Sequence, residues 1–215
     1  MSESEMKNET RERLLDAAEG LFAEKGFEAV SLRDITRTAG ANVASVNYHF
    51  GSKEGLINEV MKRHALPVNE ERVRRLEGLL EGEARPEVRE VIEAFLDPLI
   101  ERITEADERR RLFGRFMGRV TGEEAKGIPS EMVPAFTKMM KLTVAAFQRA
   151  LPGLSTEETL CRIKFCFAVM TQALLRDEVF EQITERKLAA WEPEKIYQEV
   201  LVFCTGGMAE QEGKA

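Results

Sequence analysis

Three glycines, Gly26, Gly40 and Gly51, cut the helical periodicity of the first third of the chain into short pieces. Before Gly26, the residues Leu14, Leu15, Ala18, Leu21 and Phe22 recur at helical spacing, so Arg11–Lys25 reads as an amphipathic helix closed by glycine. Ser31 opens the second piece. Its hydroxyl can accept from a first-turn amide, and Asp34 nearly completes a capping box. Leu32, Ile35 and Ala39 face inward and Gly40 stops the helix. Asn42 is a good N-cap for a third helix, Val43–His49, which Gly51 breaks. Ser52 caps a fourth helix from Lys53, with Leu56, Ile57, Val60 and Met61 as its inner face. Helices this short, reversed this sharply, must pack across one another, and the second and third form the helix-turn-helix pattern.

No segment alternates as a strand would, so the expected fold is all-α throughout. Residues 1–9 are expected to be disordered, 10–66 to form the helix-turn-helix domain, 67–208 a helical bundle, and 209–215 a disordered tail. The boundary is set at Pro67, which should interrupt or end the fourth helix. Beyond it, Asn69–Glu81 is helical, with Val73, Leu76 and Leu80 as a narrow stripe. Pro86 suits the first turn of a helix reaching about Ile103, which Pro98 should kink. Helices are then expected over Asp107–Val120, over Glu131–Leu151, and from the Ser155/Glu158 capping box to Arg176. A shorter one follows near Val179–Ala190, and a last one runs from Pro193 to Gly206-Gly207.

The net charge of -7, from 31 basic and 38 acidic residues, argues against a protein that coats nucleic acid or anionic membrane non-specifically. Three cysteines at irregular spacing are no disulfide framework, and Cys161 and Cys166 read as core. The longest apolar run, Phe165–Leu175, is too short to span a bilayer, and Met1–Thr10 shows no apolar signal core. A cytoplasmic chain with no membrane partner is expected. The only histidines are His49 and His64. No second ligand sits four residues from either, and no nucleophile–base pairing emerges, so neither a metal, a cofactor nor an enzyme is expected.

The polar residues of the short helices suit DNA. Arg33 and Arg37 lie on the second helix, Tyr48 and His49 end the third, and Lys53 lies in the first turn of the fourth. Residues 31–53 carry +2 against the acidic total. Phe50 reads as core.

The run SLRDITRTAGANVASVNYHFGSKEGL resembles the DNA-binding signature of the TetR/AcrR family of bacterial transcriptional regulators. The match covers roughly residues 10–64: the Gly40 turn, the Tyr48-His49-Phe50 ending and the Ser52-Lys53-Glu54 cap agree in order. The resemblance implies a homodimer, an all-helical effector domain and ligand-controlled binding to a palindromic double-stranded operator. Carried over by position, it gives Val43, Ala44, Ser45 and Asn47 to base edges and Ser31, Tyr48, His49 and Lys53 to phosphates, with Arg33 suited to either. A short apolar side chain can touch a thymine methyl, and asparagine can pair bidentately with adenine. Asn47 departs from the commoner pattern, which has an aromatic there.

Residues 86–176 hold adaptable apolar side chains. Phe95, Leu99, Phe113, Phe116, Met117, Phe136, Met140, Phe167 and Met170 are the candidates to line a pocket for a small apolar ligand. Arg111, Arg115 and Arg119 fall opposite Phe113, Phe116 and Met117 on their helix, away from such a pocket. The segment VNYHFGSKEGLINEV, with ALPVNEERVRRLE after it, resembles the PsrA-type branch of the family, which implies a fatty-acid or fatty-acyl effector. Phe165–Leu175 is apolar nearly all round and needs cover on both sides. The last helix adds Ile196, Val200, Leu201, Phe203 and Cys204. In the resembled family the last two long helices form the dimer bundle, which puts the homodimer contact at residues 155–176 and 193–205. The rival reading is a helical adaptor that binds lipid or protein and not DNA.

Overall fold

The computed structural model describes residues 3–104, 129–173, 182–185 and 193–209. Among the described residues every regular element is helical. They are α1 (Glu3–Lys25), α2 (Leu32–Ala39), α3 (Val43–Phe50), α4 (Lys53–Glu81), α5 (Val88–Thr104), a 3-10 turn (Ser130–Met132), α6 (Val133–Ala150), α7 (Thr156–Ala173) and α8 (Pro193–Ala209). No described helix is long and apolar enough to cross a membrane. The expected helix Asp107–Val120, with Phe113, Phe116 and Met117, lies outside the described residues, as do Arg176 and most of Val179–Ala190.

The chain divides into two compact units, and the first holds residues 3–67 together with 129–132. In it α1 packs on α2 and α3, and α2 on α3. Leu14, Leu15, Ala18, Phe22, Ile35, Val46, Leu56 and Val60 are buried there. Each large apolar side chain so buried contributes about 1.5–3 kcal/mol before chain entropy is counted. Ion pairs fasten α1 to α4: Arg63 reaches Glu12 at 2.5 Å and Asp16 at 2.7 Å, and Arg11 reaches Glu59 at 2.5 Å. Behind them the buried His64 Nε2 lies 2.9 Å from the buried Glu19 Oε1.

Three expectations need correction here. Residues 1–9 are not a wholly disordered lead: α1 already begins at Glu3. Residues 4–9 are exposed, so packing does not hold that turn. Good helix formers and acidic residues at a helix N-terminus suffice to extend it. Pro67 does not end the fourth helix, because α4 runs unbroken across it. Its ring lies on the exposed side, and buried His64 and Val68 flank it. The two units divide between Pro67 and Val68, and residues 129–132 group with the first. Glu131 is paired with Lys62 at 2.5 Å there.

The second unit holds residues 68–104 and the described residues from Val133 onward. There α5 packs against α6 and α8, α6 against α7, and α7 against α8. Val91, Phe95, Leu96, Leu99, Met139, Phe147, Ile163, Met170, Leu201 and Met208 form its core. One side chain closes the end of α4. Arg149 donates to the carbonyl of Leu80 (2.7 Å), which the helix end leaves without an internal donor, and to those of Gly82 (2.5 Å), Glu83 (2.8 Å) and Ala84 (2.8 Å) just beyond it. At the start of α7, Ser155 and Glu158 form the expected capping box. The last helix does not stop at Gly206-Gly207 but continues to Ala209, carried by the fully buried Met208.

Candidate nucleic-acid interface

Local hydrogen bonds build the reading surface. At α2, Ser31 Oγ accepts from the Asp34 amide at 3.2 Å, while Asp34 Oδ2 accepts from the Ser31 amide at 3.2 Å, a complete capping box. The Ser31 hydroxyl and amide hold the Asp34 carboxyl below its ordinary range. Gly40 ends α2 at φ +61, a left-handed conformation that glycine adopts without strain. Its neighbour's amide, Ala41 N, donates back to Thr36 O at 2.9 Å. Asn42 then caps α3: its Oδ1 accepts from the Ser45 amide at 2.8 Å and the Ser45 hydroxyl at 3.1 Å.

Val46 is fully buried and anchors α3, so the opposite side of this helix of about two turns looks outward. Val43 is 38% exposed and Tyr48 69%, and Ala44 and Asn47 are exposed with them. Ser45 is half-buried because its hydroxyl serves the cap. His49 is half-buried, its ring edge-on to Tyr48 at 4.9 Å. Arg33 is exposed on α2, and Arg37 is exposed and paired with Asp34 at 2.7 Å. Lys53 is half-buried, and its Nζ donates to Phe27 O at 2.6 Å. An ammonium has two further donors, so this bond positions the group without using it up.

The junction of α3 with α4 is tight. A Cβ on Gly55 would sit 1.9 Å from the Phe50 carbonyl oxygen, so only glycine fits. Ser52 Oγ accepts from the Gly55 amide at 3.0 Å, the cap expected for this helix. Phe50 is half-buried rather than core, with the Arg11 guanidinium 5.6 Å from its ring centroid.

In the second unit, Phe95, Leu99 and Met170 are buried, while Phe136, Met140 and Phe167 are half-buried. Cys161 is exposed, not core, whereas Cys166 is buried as expected. The apolar run of α7 is covered on one side only: Phe165 remains 60% exposed. On α8, Val200, Leu201 and Cys204 turn into the unit's own core, and Val202 and Phe203 turn outward. Among the described residues no cluster of His, Cys, Asp and Glu could hold a metal ion. Two buried polar side chains of α4, Asn69 and Arg72, escaped the sequence reading because they fall inside a run of charge. The available signal was their spacing with Val68 and Leu76 on one helical face.

A capped short helix, exposed on one face and set behind a glycine turn, defines a helix-turn-helix DNA-binding protein. Comparison with known proteins agrees. Residues 14–60 match "Bacterial regulatory proteins, tetR family", and residues 93–207 match "Tetracyclin repressor-like, C-terminal domain". The chain therefore belongs to the tetR family of bacterial regulatory proteins. It is 43% identical over 56 residues to the HTH-type transcriptional repressor KstR2 of Rhodococcus jostii, a match covering 26% of this chain and 28% of that protein. To the HTH-type transcriptional regulator UidR of Escherichia coli it is 29% identical over 144 residues, 64% of this chain and 62% of that one. The crystal structure of NalD, the secondary repressor of the MexAB-OprM multidrug efflux pump in Pseudomonas aeruginosa, shares the fold with a TM-score of 0.65. It is 24% identical and covers 94% of this chain and 97% of that one.

Proposed function

We propose that the chain is a cytoplasmic repressor that binds a palindromic operator as a homodimer and releases it when a small apolar effector occupies its second unit. The observation that carries this reading is the outward face of α3, exposed at Val43, Ala44, Asn47 and Tyr48. In it, Val43, Ala44, Ser45 and Asn47 read base edges; Ser31, Tyr48, His49 and Lys53 hold phosphates, and Arg33 serves either. Two α3 helices would enter successive major grooves ~34 Å apart. The exposed Leu160 and Phe165 of α7 and Val202 and Phe203 of α8 support dimer contact there. Phe95, Leu99, Phe136, Met140, Phe167 and Met170 would line the effector site, and a fatty-acid or fatty-acyl effector suits that lining. An effector that couples by about 1–3 kcal/mol changes operator affinity roughly 5–150-fold.

Selection of bound duplexes from a random pool tests the reading. A palindromic consensus is expected, and a purified chain with no sequence preference would overturn it. On the selected operator, Tyr48→Phe and Lys53→Ala weaken all sequences and lower the salt dependence, while Asn47→Ala relaxes one base position.

A further inference from the structure

The second unit buries an arginine that no carboxylate among the described residues pairs with. Arg72 of α4 is 5% exposed. Its guanidinium carbon lies 4.6 Å from the centroid of the Phe95 ring, and its Nε donates to Phe95 O at 2.6 Å. Its Nη2 is buried without a hydrogen-bond partner. The neighbouring arginines differ. Arg74 pairs with Glu71 at 2.5 Å, and Arg75 with Glu71 at 2.7 Å and Glu101 at 2.6 Å. Burial alone pulls the Arg72 guanidinium down to about 10, which leaves it cationic at neutral pH.

One turn earlier on the same face, Asn69 is 2% exposed. Its Nδ2 donates to Ala135 O at 3.1 Å, and its Oδ1 is buried with no partner. An unmet donor and an unmet acceptor thus belong to residues three apart on one helix face. The stacking on Phe95 and the Nε bond leave Nη2 of the guanidinium unused. An apolar side chain of similar length would pack there without burying a charge, and helix α5 already engages its own carbonyls. A buried cation with free N–H groups is the arrangement that recognises a carboxylate.

We propose that Arg72 anchors the carboxylate of an organic acid with an apolar body, and that Asn69 Oδ1 accepts from a hydroxyl or water at the same head group. The proposal rests on the ligand-responsive reading above and adds to it a head-group site and an acidic ligand class. Phe95, stacked on Arg72, supplies apolar surface beside the charge, and the buried Leu99 follows one turn on along α5.

The test uses the full chain, with straight-chain carboxylates from butanoate to hexadecanoate, their methyl esters and the matching primary alcohols. Binding is read by calorimetry and by thermal unfolding. At least one acid binds and raises the unfolding temperature, while its ester and alcohol do not. Arg72→Met weakens that acid roughly 10- to 100-fold, and Arg72→Lys recovers part of the loss. The unliganded Arg72→Met chain is as stable as the native one or more so. No binding by any acid, or equal binding of acid and ester, overturns the site, and the comparison on the native chain decides even where the variant fails to fold. Operator release is measured separately. An acid that binds through Arg72 without releasing the operator keeps this site and removes the ligand-responsive reading. Release by an ester or alcohol, with no acid bound, does the reverse.

Discussion

At the scale of single residues, three short polar side chains set where α2, α3 and α4 begin. Ser31, Asn42 and Ser52 each cap a helix through an amide three residues on, so the residue type and its place before an apolar run sufficed. Lys53 binding Phe27, Arg149 gathering the carbonyls beyond α4 and Arg72 against Phe95 join residues far apart in sequence. Nothing local announces such partners. Gly55 stands between the two cases: its place in the first turn of a helix was plain, but its need to be glycine comes from the Phe50 carbonyl. Gly55→Ala is expected to destabilise the chain by about 1–3 kcal/mol, because backbone would have to move. Gly20→Ala, where a Cβ meets nothing within 4 Å, should stabilise α1 by about 0.5–1 kcal/mol. Denaturant unfolding of both variants measures the contrast.

At the scale of elements, periodicity located the described helices and punctuation misjudged several ends. Glycine and proline weigh locally against a helix, but flanking burial outweighs them, as Met208 does for Gly206 and Gly207. Pairing between elements carries the pH behaviour. Asp97 of α5 accepts from the Tyr197 hydroxyl of α8, and its carboxyl is pushed up to about 6 by burial, then by the nearby Glu93. A carboxyl raised in the folded chain binds its proton more tightly there than when unfolded. It therefore adds stability at low pH that is lost as pH rises from the ordinary aspartate range through about 6. Asp97→Asn keeps an acceptor for Tyr197 and removes the titration. The unfolding temperature of the native chain should fall relative to that variant across this window. Parallel curves would show that Asp97 does not titrate there.

At the scale of the molecule, the all-helical class and the helix-turn-helix were legible because both follow from spacing. The effector site was not, since it depends on which helix faces meet. The acidic total is spread as -5 from residue 67 onward and -2 before it, while residues 31–53 carry +2. Charge thus disfavours indiscriminate adhesion without opposing contact at the reading face. The outward apolar faces of α7 and α8 lead to a prediction at this scale. Phe165→Glu or Phe203→Glu should convert dimer to monomer in analytical ultracentrifugation and weaken operator binding. An unchanged sedimentation profile would place the dimer contact elsewhere.

Pro67 sits within a helix of 29 residues whose two parts belong to different compact units. A proline contributes no amide hydrogen to the turn before it, so the hydrogen-bonded ladder is interrupted where the backbone trace is not. Cooperativity in a helix is carried by that ladder. One rung is therefore missing at the point in α4 where the two units divide. On one side of it α4 is held by ion pairs to α1, and on the other by bonds to α5 and α6.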